Sequence, residues 1–170
     1  MPLEVIVLSG SMGSGKTTVL GEASDILFEQ RAPHAALDLD AMATVLLPDD
    51  AAEEVSFRNL AAIVRNVVAA GIDRILVAEA IETRSQLERI REALSGADIV
   101  VCRLTASLDT MEGRLRLREP GMYRNQFLVR SRVLHERLEA AKLENFVVVN
   151  DGRSVTDVAR EVLQRAGWMA

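Results

Sequence analysis

The sequence predicts a three-layer α/β fold, in which a parallel sheet of about five strands is covered by helices on both faces. Short runs rich in Val, Ile and Leu alternate along the chain with longer segments of helical periodicity. The runs are apolar at nearly every position, which is typical of strands buried on both faces. They lie at residues 3–8, 35–39, 74–78, 99–104 and 146–149. Strands and helices that alternate in this way indicate right-handed βαβ units.

The helices are predicted from apolar residues that recur three and four positions apart. Such stripes occupy residues 19–27, 60–68, 87–94 and 155–163. Ser154 stands where it would cap the last of these helices. Between 108 and 143 two helical segments meet at Glu119-Pro120-Gly121 with no strand between them. We therefore expect a helical hairpin, at about 108–143, added to the α/β core.

The length and charge of the chain exclude several classes of protein. A chain of 170 residues predicts one domain, spanning 1–170. The 20 basic and 25 acidic side chains give a net charge of −5, which argues against nucleic acid or an anionic membrane as a partner. The single Cys102 excludes an internal disulfide and a cysteine cluster for metal. Because no signal peptide and no apolar run of about 18 residues is found, we expect a cytoplasmic protein. Its expected assembly is a monomer or a homodimer.

The segment after the first strand matches the phosphate-binding motif G-x-x-x-x-G-K-[ST] between a strand and a helix. The residues assigned to the nucleotide are Gly10, Ser11, Met12, Gly13, Ser14, Gly15, Lys16, Thr17 and Thr18. The glycines let backbone N–H groups turn towards phosphate oxygens at a helix N-terminus. Lys16, one of only two lysines, reaches the β- and γ-phosphates, and the Thr17 hydroxyl holds Mg²⁺. The motif predicts a P-loop NTPase fold with a site for a nucleoside triphosphate and Mg²⁺. ATP is the expected nucleotide, and a preference for another nucleoside triphosphate stays open.

The reaction must be inferred from other residues, because GTPases, motor ATPases and small-molecule kinases share this loop. A GTPase needs a guanine-reading Asn-Lys-x-Asp segment, and neither lysine of this chain stands in one. The compact length and the predicted hairpin favour a kinase over a remodelling ATPase.

Two carboxylates, Asp38 and Asp40, stand at the end of the second predicted strand, next to where the first strand's loop is expected. Here the sequence resembles the small P-loop metabolite kinases, the group of shikimate, gluconate and adenylylsulfate kinases, which carry an Asp-x-Asp element at this point. The resemblance implies that Asp40 orients or deprotonates the acceptor hydroxyl as a catalytic residue, and that Asp38 holds the hydration shell of Mg²⁺. Alternatively, both residues only end a strand and cap the next helix.

The pair Phe57-Arg58 resembles the Phe-Arg of shikimate kinases, in which the Arg binds the carboxylate of the acceptor. Ala61 replaces the acid that these kinases carry three residues later, and Glu79-Ala80-Ile81-Glu82 replaces their triple glycine. Both departures argue against shikimate itself. Arg58 suits an anionic acceptor, whereas six acids and no base between Asp38 and Glu54 suit a neutral or cationic one. The charge of the acceptor therefore stays open.

Glu79 follows the third predicted strand, where many P-loop proteins carry an acid that serves Mg²⁺, and a surface carboxylate is the alternative. In the hairpin, Arg114 and Arg118 lie four residues apart and share one helical face. This spacing resembles the Arg-x-x-x-Arg of kinase lids. The resemblance places Arg114 near the adenine and gives Arg118 a catalytic role on the phosphates, under a lid that excludes water. A solvated helical face is the alternative, because nearly every cation in the chain is an arginine.

Taken together, these patterns predict a phosphotransferase that moves the γ-phosphate of ATP to a hydroxyl of a small-molecule acceptor. A nucleoside monophosphate kinase or an antibiotic-inactivating kinase is the alternative among enzymes. An ATP-binding sensor without transfer activity is the alternative outside them, and such a protein would need neither Asp40 nor the lid arginines.

Overall fold

A parallel sheet of five strands forms the centre of the protein. The structure, a computed structural model, describes residues 2–42, 49–118, 121 and 123–170. The strands are β1 (Glu4–Ser9), β2 (Ala35–Asp38), β3 (Arg74–Ala78), β4 (Asp98–Thr105) and β5 (Phe146–Val149). Their order is β2-β3-β1-β4-β5, and every neighbouring pair is parallel. All five predicted strands are confirmed, with ends that differ from the expected ones by at most one residue.

Seven helices accompany the sheet within the described ranges. They are α1 (Lys16–Glu29), α2 (Leu39–Met42), α3 (Asp49–Ala69), α4 (Arg84–Ala93), α5 (Leu108–Arg118), α6 (Arg124–Ala141) and α7 (Val155–Arg165). The three layers are confirmed, because α1 and α7 pack on one face of the sheet while α3 and α4 pack on the other. None of these helices is both long and apolar enough to cross a bilayer.

The side chains of β1 show why its sequence is apolar at consecutive positions. Ile6 and Leu8 pack with the apolar residues of α1 and α7. Val5 and Val7 pack with those of α3 and α4. Successive side chains of a strand point to opposite faces, and all four are buried. The middle of this central strand is therefore apolar at consecutive positions, and its polar residues, Glu4 and Ser9, stand at the two ends.

The predicted hairpin consists of α5 and α6, which pack against each other. Buried Glu112 of α5 accepts hydrogen bonds from Arg132 of α6 and, at 3.4 Å, from Arg116. Towards the end of α6, Glu139 accepts a hydrogen bond of 2.5 Å from Arg103 of β4. This contact joins the hairpin to the sheet. In the expected turn at residues 119–121, Glu119 and Pro120 lie outside the described residues.

The predicted cap of α7 is also confirmed. Ser154 Oγ accepts a hydrogen bond from the backbone N–H of Asp157 at 3.1 Å and donates one to Asp157 Oδ2 at 2.7 Å. The first N–H groups of a helix have no partner within it, and the Ser154 hydroxyl satisfies one of them.

Replacing Ser154 by Ala is expected to lower the free energy of unfolding by about 1 kcal/mol, because a donor at the start of α7 loses its partner. Urea denaturation followed by circular dichroism measures the change. The control is Ser95→Ala, at an exposed position between α4 and β4 where no side-chain hydrogen bond is formed with the described residues. Equal stability of the two variants would contradict the role given to the cap.

Candidate active site

Three loops meet at the carboxyl edge of the sheet, because β2, β3 and β1 are neighbours. The P-loop, residues 10–17, follows β1, and Glu79 follows β3. Asp38 is the last residue of β2, and Asp40 lies in the single turn of α2. Open parallel sheets bind ligands at this edge. The fold therefore brings the loop and three carboxyl groups together.

Two positions of the P-loop require glycine. Gly13 and Gly15 have φ angles of 83° and 96°, in the left-handed region that side chains disfavour. A Cβ on Gly13 would stand 2.6 Å from the carbonyl oxygen of Met111 in α5, and one on Gly15 would collide with the side-chain amide of Asn150. The backbone conformation and the close approach of the hairpin both depend on these glycines.

The outer side of the P-loop is held by hydrogen bonds to its carbonyl oxygens. The carbonyls of residues 12, 13 and 14 accept, in that order, from Ser131 Oγ of α6 at 2.8 Å, Arg114 Nη1 of α5 at 3.1 Å and Asn150 Nδ2 beyond β5 at 2.8 Å. In a planar trans peptide, the C=O and the next N–H point in opposite directions. The N–H groups of residues 13 and 15 consequently face the inner side of the loop, while that of Ser14 donates to Ser11 O at 3.2 Å.

The remaining residues assigned to the nucleotide differ in exposure. Ser11 is buried, and its Oγ donates to Met111 Sδ at 3.0 Å. Ser14 Oγ is buried as well and has no hydrogen-bond partner among the described residues. Thr18 is exposed in the first turn of α1. The Ser14 hydroxyl is thus a buried polar atom of the loop without a partner among the described residues, whereas most buried polar atoms have one.

Lys16 is at the centre of the charges at this edge. Its Nζ donates to Gly10 O at 2.7 Å. Burial lowers the pKa of Lys16, and the negative charges of Asp40 and Glu79 oppose that effect. The positive charge of Arg118, at the end of α5, also lowers the pKa of Lys16, so this arginine lies within electrostatic range of the loop. Asp40 and Arg118, both predicted to be catalytic, therefore lie within electrostatic range of Lys16.

Asp38 connects the second strand to the P-loop. Its Oδ2 accepts a hydrogen bond from Thr17 Oγ1 at 2.7 Å, and its Oδ1 accepts one from the N–H of Asp40 at 3.1 Å. Asp38 thus caps α2 and contacts the loop at the same time. The hydroxyl and the carboxylate fit Mg²⁺, which prefers oxygen donors and completes its shell with water and phosphate. No cluster of three or more His, Cys, Asp or Glu side chains that could hold a metal occurs in the described part of the chain.

A cavity of about 1210 Å³ opens beside Asp40 and Glu79. Its walls come from α2, α3, the segment between β3 and α4, the start of α4, and α6, and its lining includes the rings of Phe57 and Phe127. The charged residues in the lining are Asp40, Glu53, Glu79, Glu82, Arg130 and Arg137. A space of this size holds a small molecule.

Two acids of the cavity are neutralised by arginines, and two are not. Glu53 accepts a hydrogen bond from Arg89 at 2.7 Å, and Glu82 accepts one from Arg137 at 2.9 Å. Among the described ion pairs, none joins an arginine to Asp40 or Glu79. These two carboxyl groups are therefore the ones open to a ligand.

Glu79 differs from the other acids in its protonation. Burial, followed by the charge of Asp40, raises the pKa of Glu79 to about 8, while Lys16 opposes the shift. Its Oε1 accepts a hydrogen bond from the N–H of Ala80 at 3.0 Å. A pKa of about 8 favours the uncharged acid at neutral pH, and the oxygen that does not accept from Ala80 is then the one free to carry the proton.

Two predicted arginines occupy different surroundings. Arg114 bridges the loop and the end of β5, because its Nη2 also donates to Asn150 O at 2.9 Å. Arg58 is not brought to the cavity: its side chain is 75% exposed and pairs with Glu54 at 3.0 Å, although the neighbouring Phe57 lines the cavity.

The sequence reasoning missed the contribution of α6 and the contact of Asn150 with the P-loop. Phe127, Arg130, Leu134 and Arg137 all line the cavity. They recur at three- and four-residue spacing, so they share one helical face. That spacing was the available signal, but it does not tell which neighbour the face meets.

Solved structures match this fold over nearly the whole chain. A sugar kinase from Janibacter sp. HTCC2649 matches with a TM-score of 0.66 at 20% identity, covering 99% of each chain. A gluconokinase from Sinorhizobium meliloti 1021 matches with 0.65 at 22% identity, covering 96% of this chain and 91% of its own. An APS kinase from Mycobacterium tuberculosis, solved with AMPPNP and APS, matches with 0.65 at 17% identity, covering 96% of each. This chain has the fold of the P-loop small-molecule kinases.

The resemblance stated from the motifs is thereby confirmed at the level of the fold. No protein-family model and no curated protein matches the sequence. Roles for individual residues must accordingly come from the geometry of this chain's own site.

Gly13→Ala is expected to lower the free energy of unfolding by at least about 1 kcal/mol more than Gly71→Ala, as measured by urea denaturation. Both glycines have positive φ angles, 83° and 91°, so both variants carry the backbone strain of a side chain there. Only the new Cβ at residue 13 meets the carbonyl of Met111, since nothing lies within 4 Å of the one at residue 71. Equal losses of stability would show that the carbonyl of Met111 leaves room for a side chain at residue 13.

Glu79→Gln is expected to change how stability depends on pH. The raised pKa, about 8 against an ordinary 4.5, means that the folded protein keeps a proton which the unfolded chain releases. This group therefore lowers the free energy of unfolding as the pH rises from about 4.5 to about 8, by up to about 1.4 kcal/mol per pH unit. The variant lacks this pH-dependent contribution, so its free energy of unfolding relative to wild type rises between about pH 4.5 and about pH 8 and then levels off.

Reversible denaturation at several pH values measures this difference. Glu88→Gln, a matched change at an exposed position of α4, should keep the wild-type dependence. Parallel curves for Glu79→Gln and wild type would contradict the assigned protonation.

Proposed function

We propose that the protein transfers the γ-phosphate of ATP to a hydroxyl group of a small molecule bound in the cavity beside Asp40. The observation that carries the proposal is the position of Asp40. Its side chain lines the cavity, and its charge raises the pKa of Lys16 in the P-loop more than any other carboxylate does. A P-loop lysine contacts the β- and γ-phosphates. An acceptor in this cavity therefore lies beside the phosphate that is transferred.

The P-loop binds the nucleotide through the inward N–H groups of residues 13 and 15 and the ammonium group of Lys16. The buried and unpartnered Ser14 hydroxyl supports this assignment, since buried polar atoms normally have a partner. Thr17 and Asp38 hold Mg²⁺, which when bound neutralises charge on the phosphates. Arg114 braces the outer side of the loop.

Transfer begins with Asp40 accepting the proton of the acceptor hydroxyl. The hydroxyl oxygen forms a bond to the γ-phosphorus, and the bond to the β,γ-bridging oxygen breaks, so that its electron pair leaves with ADP. Lys16 and Arg118 stabilise the negative charge on the transferred group. The hairpin limits the access of water to the same phosphate.

The similar structures support this proposal, because a sugar kinase, a gluconokinase and an APS kinase are all phosphotransferases on this fold. Nucleoside monophosphate kinases and antibiotic-inactivating kinases differ from it in the acceptor. An ATP-binding sensor is less consistent with an unpaired carboxylate in a cavity beside the loop.

A screen of a metabolite pool for transfer of ³²P from γ-labelled ATP tests the proposal. Wild type is expected to label one acceptor or a few related ones. Lys16→Ala should reduce the rate at least about a hundredfold, because it removes a cation that stabilises the transferred group. Asp40→Asn should reduce kcat by about 10²–10⁴-fold and leave the affinity for ATP within about threefold.

Lys142→Ala removes the only other lysine, at the end of α6, and Asp25→Asn removes an exposed carboxylate of α1. Both controls should transfer phosphate as wild type does. Binding of ATP with no labelled product across the pool would favour the sensor, and full activity of Asp40→Asn would show that the acceptor binds elsewhere.

A further inference from the structure

Glu79 occupies a place in the cavity that the proposed reaction does not use. It directly follows β3, the strand between those that lead to the P-loop and to Asp40. In the ladder, Asp38 of β2 lies opposite Ala78 of β3, so Glu79 directly follows one strand end, and Asp40 of α2 stands two residues beyond the neighbouring one. Both side chains line the same cavity, and the charge of Asp40 raises the pKa of Glu79. One small molecule in this cavity can therefore contact both carboxyl groups.

The backbone fixes the Glu79 side chain. Its own N–H donates to Leu8 O at 3.1 Å, which continues the ladder with β1. Its Oε1 accepts from the N–H of Ala80 at 3.0 Å, so one carboxyl oxygen is already occupied. The other oxygen belongs to a side chain that lines the cavity. A carboxyl group held by its own backbone is a positioned contact, because little side-chain freedom remains to be lost when a ligand binds.

We propose that Glu79 is a second acceptor-binding residue, which contacts the oxygen next to the hydroxyl that is phosphorylated, so that the site selects acceptors with two neighbouring oxygen functions. Polyols, sugars and sugar acids have this chemistry. The inference rests on the proposed function, since it concerns the same cavity and the same reaction.

The protonation of Glu79 determines whether its carboxyl group donates or accepts a hydrogen bond with the acceptor. Burial and Asp40 raise the pKa of Glu79, so at neutral pH the group donates an O–H and does not repel the negative Asp40. Asp40 accepts from the reacting hydroxyl, and Glu79 donates to the neighbouring oxygen. The charged groups that act on Glu79 are Lys16, Asp40 and Asp38. An ammonium group on the acceptor would instead need an ionised Glu79, which disfavours amino alcohols.

The test compares acceptors that differ only at the neighbouring oxygen. The compound that the ³²P screen returns is assayed beside its analogue lacking that oxygen and its amino-deoxy analogue. For wild type, kcat/KM is expected to fall at least about tenfold with the deoxy analogue, the usual effect of losing one good hydrogen bond in a buried site. In Glu79→Ala the difference should shrink to less than about threefold, with an unchanged KM for ATP.

Glu79→Gln restores a donor and should recover the discrimination, whereas Glu88→Ala, on the exposed side of α4, should discriminate as wild type does. A variant that merely lost packing would lose activity with all acceptors alike. The inference is overturned if Glu79→Ala keeps the tenfold difference, if the amino-deoxy analogue is preferred, or if the acceptor has no oxygen beside its phosphorylated hydroxyl. No labelled product from any acceptor would instead reject the proposed function itself, and this inference with it.

Discussion

The candidate site depends on one constraint, which is that the carbonyl oxygens of residues 12–14 are bound from outside the P-loop. Ser131, Arg114 and Asn150 supply the donors, and each comes from a different element. Because the peptide unit is planar, fixing these carbonyls also fixes the N–H groups on the inner side of the loop. The loop thus keeps its shape through its neighbours as well as through its glycines. A hairpin that supplies two of the three donors is part of the loop's support and not only a cover over it.

The sheet and the P-loop could be predicted because their signals are local. Strands buried on both faces are apolar at consecutive positions, as at residues 5–8 of β1, and the phosphate-binding motif fits within eight residues between a strand and a helix. The cavity could not be predicted in the same way. Its arginines, Arg130 and Arg137, come from α6, and no local pattern says that this helical face meets α3 and the end of β3. Arg58 shows the opposite case, because a two-residue resemblance does not determine that its side chain pairs with Glu54 at the surface.

The raised pKa of Glu79 follows from the number of acids at one edge of the sheet. Three carboxyl groups lie at or just beyond the ends of β2 and β3, where the P-loop places Lys16, and one lysine cannot neutralise them all. Asp38 is stabilised by hydrogen bonds from Thr17 and from the N–H of Asp40. Glu79 accepts one backbone hydrogen bond, but its burial and the nearby charge of Asp40 make retaining a proton less costly than ionising. The net charge of the chain therefore does not predict the ionisation of the groups at this site. Their burial and their distances from one another determine which of them are charged.

The arginines of the hairpin have different roles, although they lie on only two helices, α5 and α6. Arg116 and Arg132 hold Glu112 and thereby join α5 to α6, whereas Arg114 holds the P-loop. Arg118 acts on Lys16 through its charge. On α6, Ser131 contacts the loop while Arg130 lines the acceptor cavity. Because consecutive residues of one helix touch the two binding regions, the position of α6 sets the geometry of both, and the nucleotide loop and the acceptor cavity are built as one unit.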